Sequence, residues 1–446
     1  MGGFCDRWYY APMMTTLRGG IVVLGAALVA GGFVAGCMDQ GPGEGADDVE
    51  LVHSALNDDG FYTVNNAQTA LGAGESTTSI MTAWMANDGF GPQVVGEAFG
   101  QMSGMPWGSP GVSRIYSINA KAKGSPAVGS EPNVRNFLIA WDEQYSATDS
   151  DIEGQVVGDD GRPVGGVFLI QGDGLVEKAP TITYVPQVGQ WLVSYTRVNG
   201  STTQLLATWV DFNGNVNGTF TVVPSGLVQS QGKQTVSWCP QSSNLMFTWN
   251  DYKVAFAPIS TLVAGTVSTV NNAAGLAGTC NTLNGNFAVT WREGANTAAK
   301  IGARVLPPGC LSLSCATATN YVIQAGVNSI TALNLPVIAP SGNGFGIAAV
   351  PLPGSLKRLS MVTINTAGGT VATSTSVVPT CGGTIQGGSM GLPGTIAADT
   401  PRSDSSAREF IIYDPNCPTA PNNHKVRITG VLPSNINNDF TFDISD

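Results

Sequence analysis

The sequence predicts an all-β chain, a seven-bladed β-propeller of four-stranded antiparallel blades behind an export signal and an acidic tether. Three observations lead there. A short apolar strand closing on an aromatic residue returns about every 55 residues. Each copy has the same neighbours, a strand and turn before it and a glycine-bearing hairpin after it. Finally, the 446 residues hold 57 glycines and only 11% charged side chains, a composition of turns and strands. The 43% apolar fraction is ample for a core.

The recurring strand ends at Trp84, Trp141, Tyr195, Trp249 and Trp291, with weaker copies at Ala349 and Tyr413. Phe137-Leu-Ile-Ala-Trp141 is the clearest. Such near-continuous apolar runs suit a strand buried on both faces between adjacent blades. A first strand is expected before it at 180–184, 234–238, 278–280 and 335–338. Third strands are expected at 113–116, 154–157, 205–210, 253–259, 300–305, 358–364 and 425–431. Fourth strands follow at 167–170, 219–223, 267–270, 321–323 and 373–378. Turns such as Asp159-Asp-Gly161 and Asp211-Phe-Asn-Gly214 supply the positive φ that tight hairpins require. Two packed β-sandwiches would match the strand number but not this order. The segment 85–110, which includes Trp107, reads as an insertion on the first blade and a candidate ligand loop. Phe61-Tyr-Thr-Val-Asn-Asn66 is expected to pair beside 440–444 and close the ring.

The N-terminus supplies the address. Arg18 precedes an uncharged stretch over 19–36, which ends Val34-Ala35-Gly36-Cys37. Small residues at that place suit signal cleavage. The four residues resemble the bacterial lipobox, and the resemblance implies cleavage before Cys37 and its acylation, so that membrane lipid holds the chain at the bacterial envelope, in the outer membrane. Several acyl chains anchor stably where one does not. The competing reading is a transmembrane helix, for which six glycines and marginal length are a poor fit. Translation from Met13 or Met14 instead of Met1 gives a more ordinary signal. The expected divisions are a signal peptide over 1–36, an acylated cysteine and acidic tether over 37–50, and the propeller over 51–446. Without 1–36 the net charge is about −12, which excludes nucleic acid as a partner for want of basic patches. A monomer is expected.

Over about 60–446 the repeats resemble secreted bacterial propellers of WD-like or sialidase-like shape, whose strands read aromatic-aliphatic-aliphatic-x-Trp before a glycine hairpin. That resemblance implies a fold and no activity.

Six cysteines remain after Cys5 and Cys37. Their even number in an exported chain suggests disulfides. Cys239 and Cys280 hold nearly equivalent places in neighbouring repeats, Cys310 and Cys315 bracket one loop, and Cys381 and Cys417 share the last repeat. Pairings 239–280, 310–315 and 381–417 are expected. Zinc lacks Cys-x-x-Cys spacing and histidine partners.

Chemistry is sparse. Gly387-Gly-Ser389-Met-Gly391, followed by Asp414 and His424, matches a hydrolase nucleophile motif formally, but its flanks are a glycine-rich loop. The only other histidine, His53, lies near the tether. Gly72-Ala-Gly-Glu-Ser-Thr77 lacks the phosphate-loop lysine and reads as a turn. Asp142, Glu143, Asp149, Asp151 and Glu153 gather between a second and a third strand, and Asp142, Asp149 and Asp151 are candidate calcium ligands there. No other cofactor is expected. The function expected is a non-enzymatic envelope module binding protein or glycan. The alternative is a carboxylate-dependent glycan hydrolase or lyase on one rim.

Overall fold

The computed structural model describes strands between Gly72 and Asp443. Residues 1–71, 101–113, 229–233, 294–298, 328–335, 351–358, 378–392, 399–408, 414–426 and several shorter joints lie outside the described residues. The chain divides into two units, Met1–Glu50 and Leu51–Asp446, and every described strand belongs to the second. No helix among the described residues is long and apolar enough to cross a membrane.

The first sheet runs β1 (Gly72–Glu75), β2 (Ser79–Asn87), β3 (Pro92–Gly100) and β4 (Arg114–Ile118) in sequence order. The second group is β5 (Ala127–Glu131), β6 (Asn136–Ser146), β7 (Asp149–Gly158) and β8 (Pro163–Gln171). The third is β9 (Val176–Val185), β10 (Gln190–Asn199), β11 (Thr202–Val210) and β12 (Val216–Val228). These two groups share one sheet through a single parallel pairing of Ser150 with Val176. Next come β13 (Gln234–Cys239), β14 (Asn244–Trp249), β15 (Lys253–Pro258) and β16 (Ser268–Thr269). They are followed by β17 (Ala273–Asn281), β18 (Asn286–Glu293), β19 (Ala299–Leu306) and β20 (Thr319–Val327). The sixth group is β21 (Val337–Ser341), β22 (Gly344–Ala349), β23 (Leu359–Asn365) and two short pieces on β23, β24 (Val371–Ala372) and β25 (Ser376–Val377). The last is β26 (Pro393–Ala398), β27 (Glu409–Tyr413), β28 (Arg427–Leu432) and β29 (Asn435–Asp443).

This is an all-β, propeller-like succession of antiparallel meanders. The first strands lie side by side in chain order, β1 against β5, then β9, β13, β17, β21 and β26, and β26 also lies against β1. Every aromatic-ended run falls on the second strand of its group, as the sequence predicts.

The packing explains why those runs are apolar on both faces. Phe137, Ile139 and Trp141 of β6 pack with Met81, Ala83 and Val94 of the preceding group. The alternate side chains Leu138 and Ala140 pack with Trp191, Val193 and Tyr195 of the following one. The pattern repeats: Leu245, Phe247 and Trp249 of β14 meet Leu192 and Leu205, while Met246 meets Phe287, Val289 and Trp291. Because successive strand side chains point to opposite faces, one ribbon serves two interfaces. Each fully buried aromatic or aliphatic side chain stabilises the stack by about 1.5–3 kcal/mol. Close approach of first strands needs small residues. A Cβ on Gly278 would stand 2.6 Å from the Met246 methyl and 2.8 Å from Thr248 Cγ2.

Cys239 and Cys280 form a disulfide between neighbouring groups with Cα atoms 5.6 Å apart, and Cys310 joins Cys315 at 5.9 Å. Both pairings are as expected, while Cys381 and Cys417 lie outside the described residues.

Several expectations need correction. Residues 92–100 are the third strand of the first group, not part of an insertion, so 114–118 is the fourth strand and not the third. The residual loop with Trp107 lies outside the described residues. Gly72–Glu75 is a strand paired with β2, not a turn, because ladder hydrogen bonds to Ile80–Ala83 recruit it despite its small side chains. Residues 61–66 lie outside the described residues, and β29 alone takes the fourth place of the last group.

Candidate functional site

In a four-stranded meander the turn joining strands two and three lies at the same end as the link entering the next group. The Asn119–Pro126 link, the 147–148 turn, the Gly172–Leu175 link and the hairpin bearing Tyr252 therefore share one face. Backbone bonds tie them together: Gly124 N donates to Asp142 O at 2.8 Å, and Ser150 N donates to Leu175 O at 2.9 Å.

On this face the second and third groups carry a dense ionic network. Glu143, at the end of β6, is buried. Its carboxylate lies 3.0 Å from Lys121 Nζ and 3.1 Å from Lys123 Nζ, and it accepts from Asn119 Nδ2 at 3.0 Å. The Lys123 side chain is fully buried as well, and its ammonium also donates to Asn119 Oδ1 at 2.6 Å. Burial pushes the Glu143 carboxyl up, but these donors more than offset it and hold it below the ordinary range. Glu153 accepts from the Tyr145 hydroxyl at 2.9 Å. Burial raises its carboxyl, and the adjacent charge of Glu143 adds to that rise. The Lys121 ammonium rests 3.3 Å above the Tyr145 ring.

A second couple stands beside the first. Arg197, two residues past Tyr195, donates to Asp173 Oδ2 at 2.7 Å and to Gln204 Oε1 at 3.0 Å. Glu177 is buried, and neither oxygen of its carboxyl has a hydrogen-bond partner among the described residues. Burial, followed by the charge of Asp173, pushes its carboxyl up to about 8. A value this high favours the protonated acid at neutral pH. Burial also raises Asp151, and Asp149 adds to that rise.

Asp142 faces away from this network, since it pairs with Ile152 while Glu143 pairs with Asp151. It accepts from Ala179 N at 3.2 Å, and burial pushes it up to about 6. Gly124 makes room for it, because a Cβ there would stand 2.1 Å from Asp142 Oδ1. The five acids expected on a loop are thus on the strands of a hairpin, and strand alternation splits them between two faces. Asp142, Asp149 and Asp151 are not brought together as calcium ligands. Among the described residues no group of three or more His, Cys, Asp or Glu could hold a metal ion. The segment 387–391, Asp414, His424 and His53 lie outside the described residues.

Sequence reasoning missed Lys121, Lys123, Asp173, Glu177 and Arg197. One signal was present: charged pairs directly after the aromatic end of a second strand, as in Asp142-Glu143 and Arg292-Glu293.

No protein-family model matches the chain, and no curated protein matches it. Similar solved structures exist. One is described as Kuenenia stuttgartiensis hydrazine synthase, at 10% identity and a TM-score of 0.49, covering 82% of this chain and 96% of that one. Another comes from a structural and mechanistic analysis of two prolyl endopeptidases, at 13% identity and a TM-score of 0.44. It covers 84% of this chain, which spans about half (49%) of that one. At these identities neither likeness bears on what this chain does.

Proposed function

We propose that the chain is an envelope lipoprotein, anchored through acylated Cys37, whose seven-bladed propeller is a binding module for protein or glycan. Seven successive meanders and the side-by-side packing of β1 and β26 support the closed ring. The lipobox-like Val34-Ala35-Gly36-Cys37 supports the anchor. The observation carrying the binding reading is the exposure of Tyr145 and Tyr252, at 43% and 39%, on the hairpin-and-link face. Aromatic side chains held on a rigid rim are what a binding module presents.

The full chain, purified in detergent, is expected to give hits on a glycan array or a specific partner in an envelope pull-down, and Tyr145→Ala weakens them. Silence in both assays from folded protein ends this reading. Labelling cells with palmitate checks the anchor: wild type takes up label, and Cys37→Ala does not.

The second reading, a glycan hydrolase or lyase, is favoured by the protonated Glu177 beside the Asp173 carboxylate, which supplies an acid and a base in one couple. It requires new reducing ends or unsaturated products from incubated polysaccharide, lost in Glu177→Gln.

A further inference from the structure

The second strand of the fifth group ends unlike those of the second and third. Arg292 directly follows Trp291 on β18 and is 6% exposed, yet its buried Nε has no hydrogen-bond partner among the described residues. Burial lowers its basicity, and the only group acting on it in the other direction is the Tyr252 phenol. The adjacent carboxylate is already taken, since Glu293 pairs with Lys300 at 3.3 Å. The segments 271–272, 294–298 and 328–335, which join these strands to their neighbours, contain no carboxylate in the sequence, and the one carboxylate in the segment before Tyr252 is that of Asp251. A buried arginine without a counter-ion is costly, and a planar guanidinium suits bidentate carboxylate.

Tyr252 stands on the neighbouring hairpin with φ of 61°, a left-handed conformation rare for a bulky residue. Its backbone is pinned there by Val270 N, which donates to Tyr252 O at 2.8 Å. The following Lys253 ammonium donates to Leu227 O at 2.7 Å. The ring is thereby held out at 39% exposure beside an unsatisfied cation.

We propose that this end of the fifth group binds the carboxylate of an acidic sugar, a hexuronate or a like residue of a glycan, with Arg292 as anion partner and Tyr252 as platform for the sugar ring. The inference rests on the binding-module reading and names its ligand class. One carboxylate per site fits the chain's formal charge of −11, which repels polyanions but not a single anion held at close range. A strained, exposed aromatic side chain beside a guanidinium suits a sugar acid better than an acidic peptide, which offers the ring no stacking face.

The test uses the full chain with glucuronate and galacturonate as probes, and glucose and N-acetyl-aspartate amide as controls. Thermal shift and saturation-transfer NMR give the readout. A saturable rise in Tm is expected with the uronates and none with glucose. Arg292→Gln is expected to weaken uronate binding at least about tenfold, with the ligand-free Tm unchanged or raised, and Arg292→Lys falls between. Tyr252→Ala, at an exposed position, weakens binding and keeps the test alive if Arg292→Gln does not fold. The proposal is overturned by folded wild type that ignores both uronates, or by variants that bind them as wild type does. It is also overturned by preference for the aspartate amide, which would make the site a peptide reader. A ligand-free Tm lowered equally by Asp251→Asn and Arg292→Gln would identify Asp251 as the arginine's own partner and overturn it too. Array hits without any uronate response would sink this inference and leave the binding module standing.

Discussion

Glu143 and Arg292 close the second strands of two different groups, Glu143 two residues past the aromatic end and Arg292 one residue past it, so they point to opposite faces, and their surroundings differ. Glu143 is met by two ammonium groups and an amide. Among the described residues Arg292 is met by nothing but a phenol. The fold therefore tolerates a buried charge at the end of a second strand on either face, and the neighbouring segments decide whether that charge is neutralised: Glu293, the residue equivalent to Glu143, is met by Lys300 of the next strand. In the second group the link brings Lys121 and Lys123. In the fifth group the corresponding segment, 271–272, is Asn-Asn and brings no charge. One end is a finished structural network, and at the other the Arg292 Nε has no partner among the described residues.

The largest expected effect tests the finished end. Glu143→Ala leaves the fully buried Lys123 side chain without its anion, and an uncompensated buried charge costs about 3–5 kcal/mol. Urea unfolding should show the midpoint fall accordingly. A loss under about 1 kcal/mol, the range of surface ion pairs, would mean that water reaches the network and that the contrast with Arg292 is false.

The next effect is pH dependence through Glu177. Its folded-state affinity for the proton is raised, to about 8, above the ordinary glutamate value. The folded state then binds more protons than the unfolded one between those values, so stability is greatest at acidic pH and falls as pH rises through about 8. Each tenfold gain in proton affinity corresponds to about 1.4 kcal/mol, so a loss of about 2–3 kcal/mol between pH 5 and 8 is expected after partial screening. Glu177→Gln mimics the protonated acid and should flatten the profile. A wild-type melt insensitive to pH over that range would show that Glu177 is ionised in the fold.

The same contrast explains what the sequence could reveal. The second strands were legible because burial on both faces demands an unbroken apolar run, of which Phe137–Trp141 is the clearest copy. The Cys239–Cys280 bridge was legible because equivalent places in adjacent repeats are neighbours in space. The third strand of the first group was not, since Pro92–Gly100 mixes Gln93, Gly96 and Glu97 with its apolar residues and takes its strand form from pairing with β2. The acids of β6 and β7 read as a loop because polar runs usually are loops. Here the ladder continues through them, and their counter-charges arrive from Lys121 and Lys123, some twenty residues upstream, in a way no local pattern encodes.

The smallest effect falls at the open end, and its sign matters more than its size. If Arg292 belonged to a network like that of Glu143, Arg292→Gln would cost several kcal/mol. As an unpaired buried cation it destabilises the ligand-free fold, and a neutral amide of similar reach removes that penalty while keeping much of the packing of the stem. The expected change in the ligand-free state is therefore between zero and about 1 kcal/mol of stabilisation, read from the same urea midpoints. A loss of about 3 kcal/mol or more would make the two strand ends alike. Arg292 would then be a structural residue with a partner inside the fold, and the difference between the second and fifth groups would carry no functional meaning.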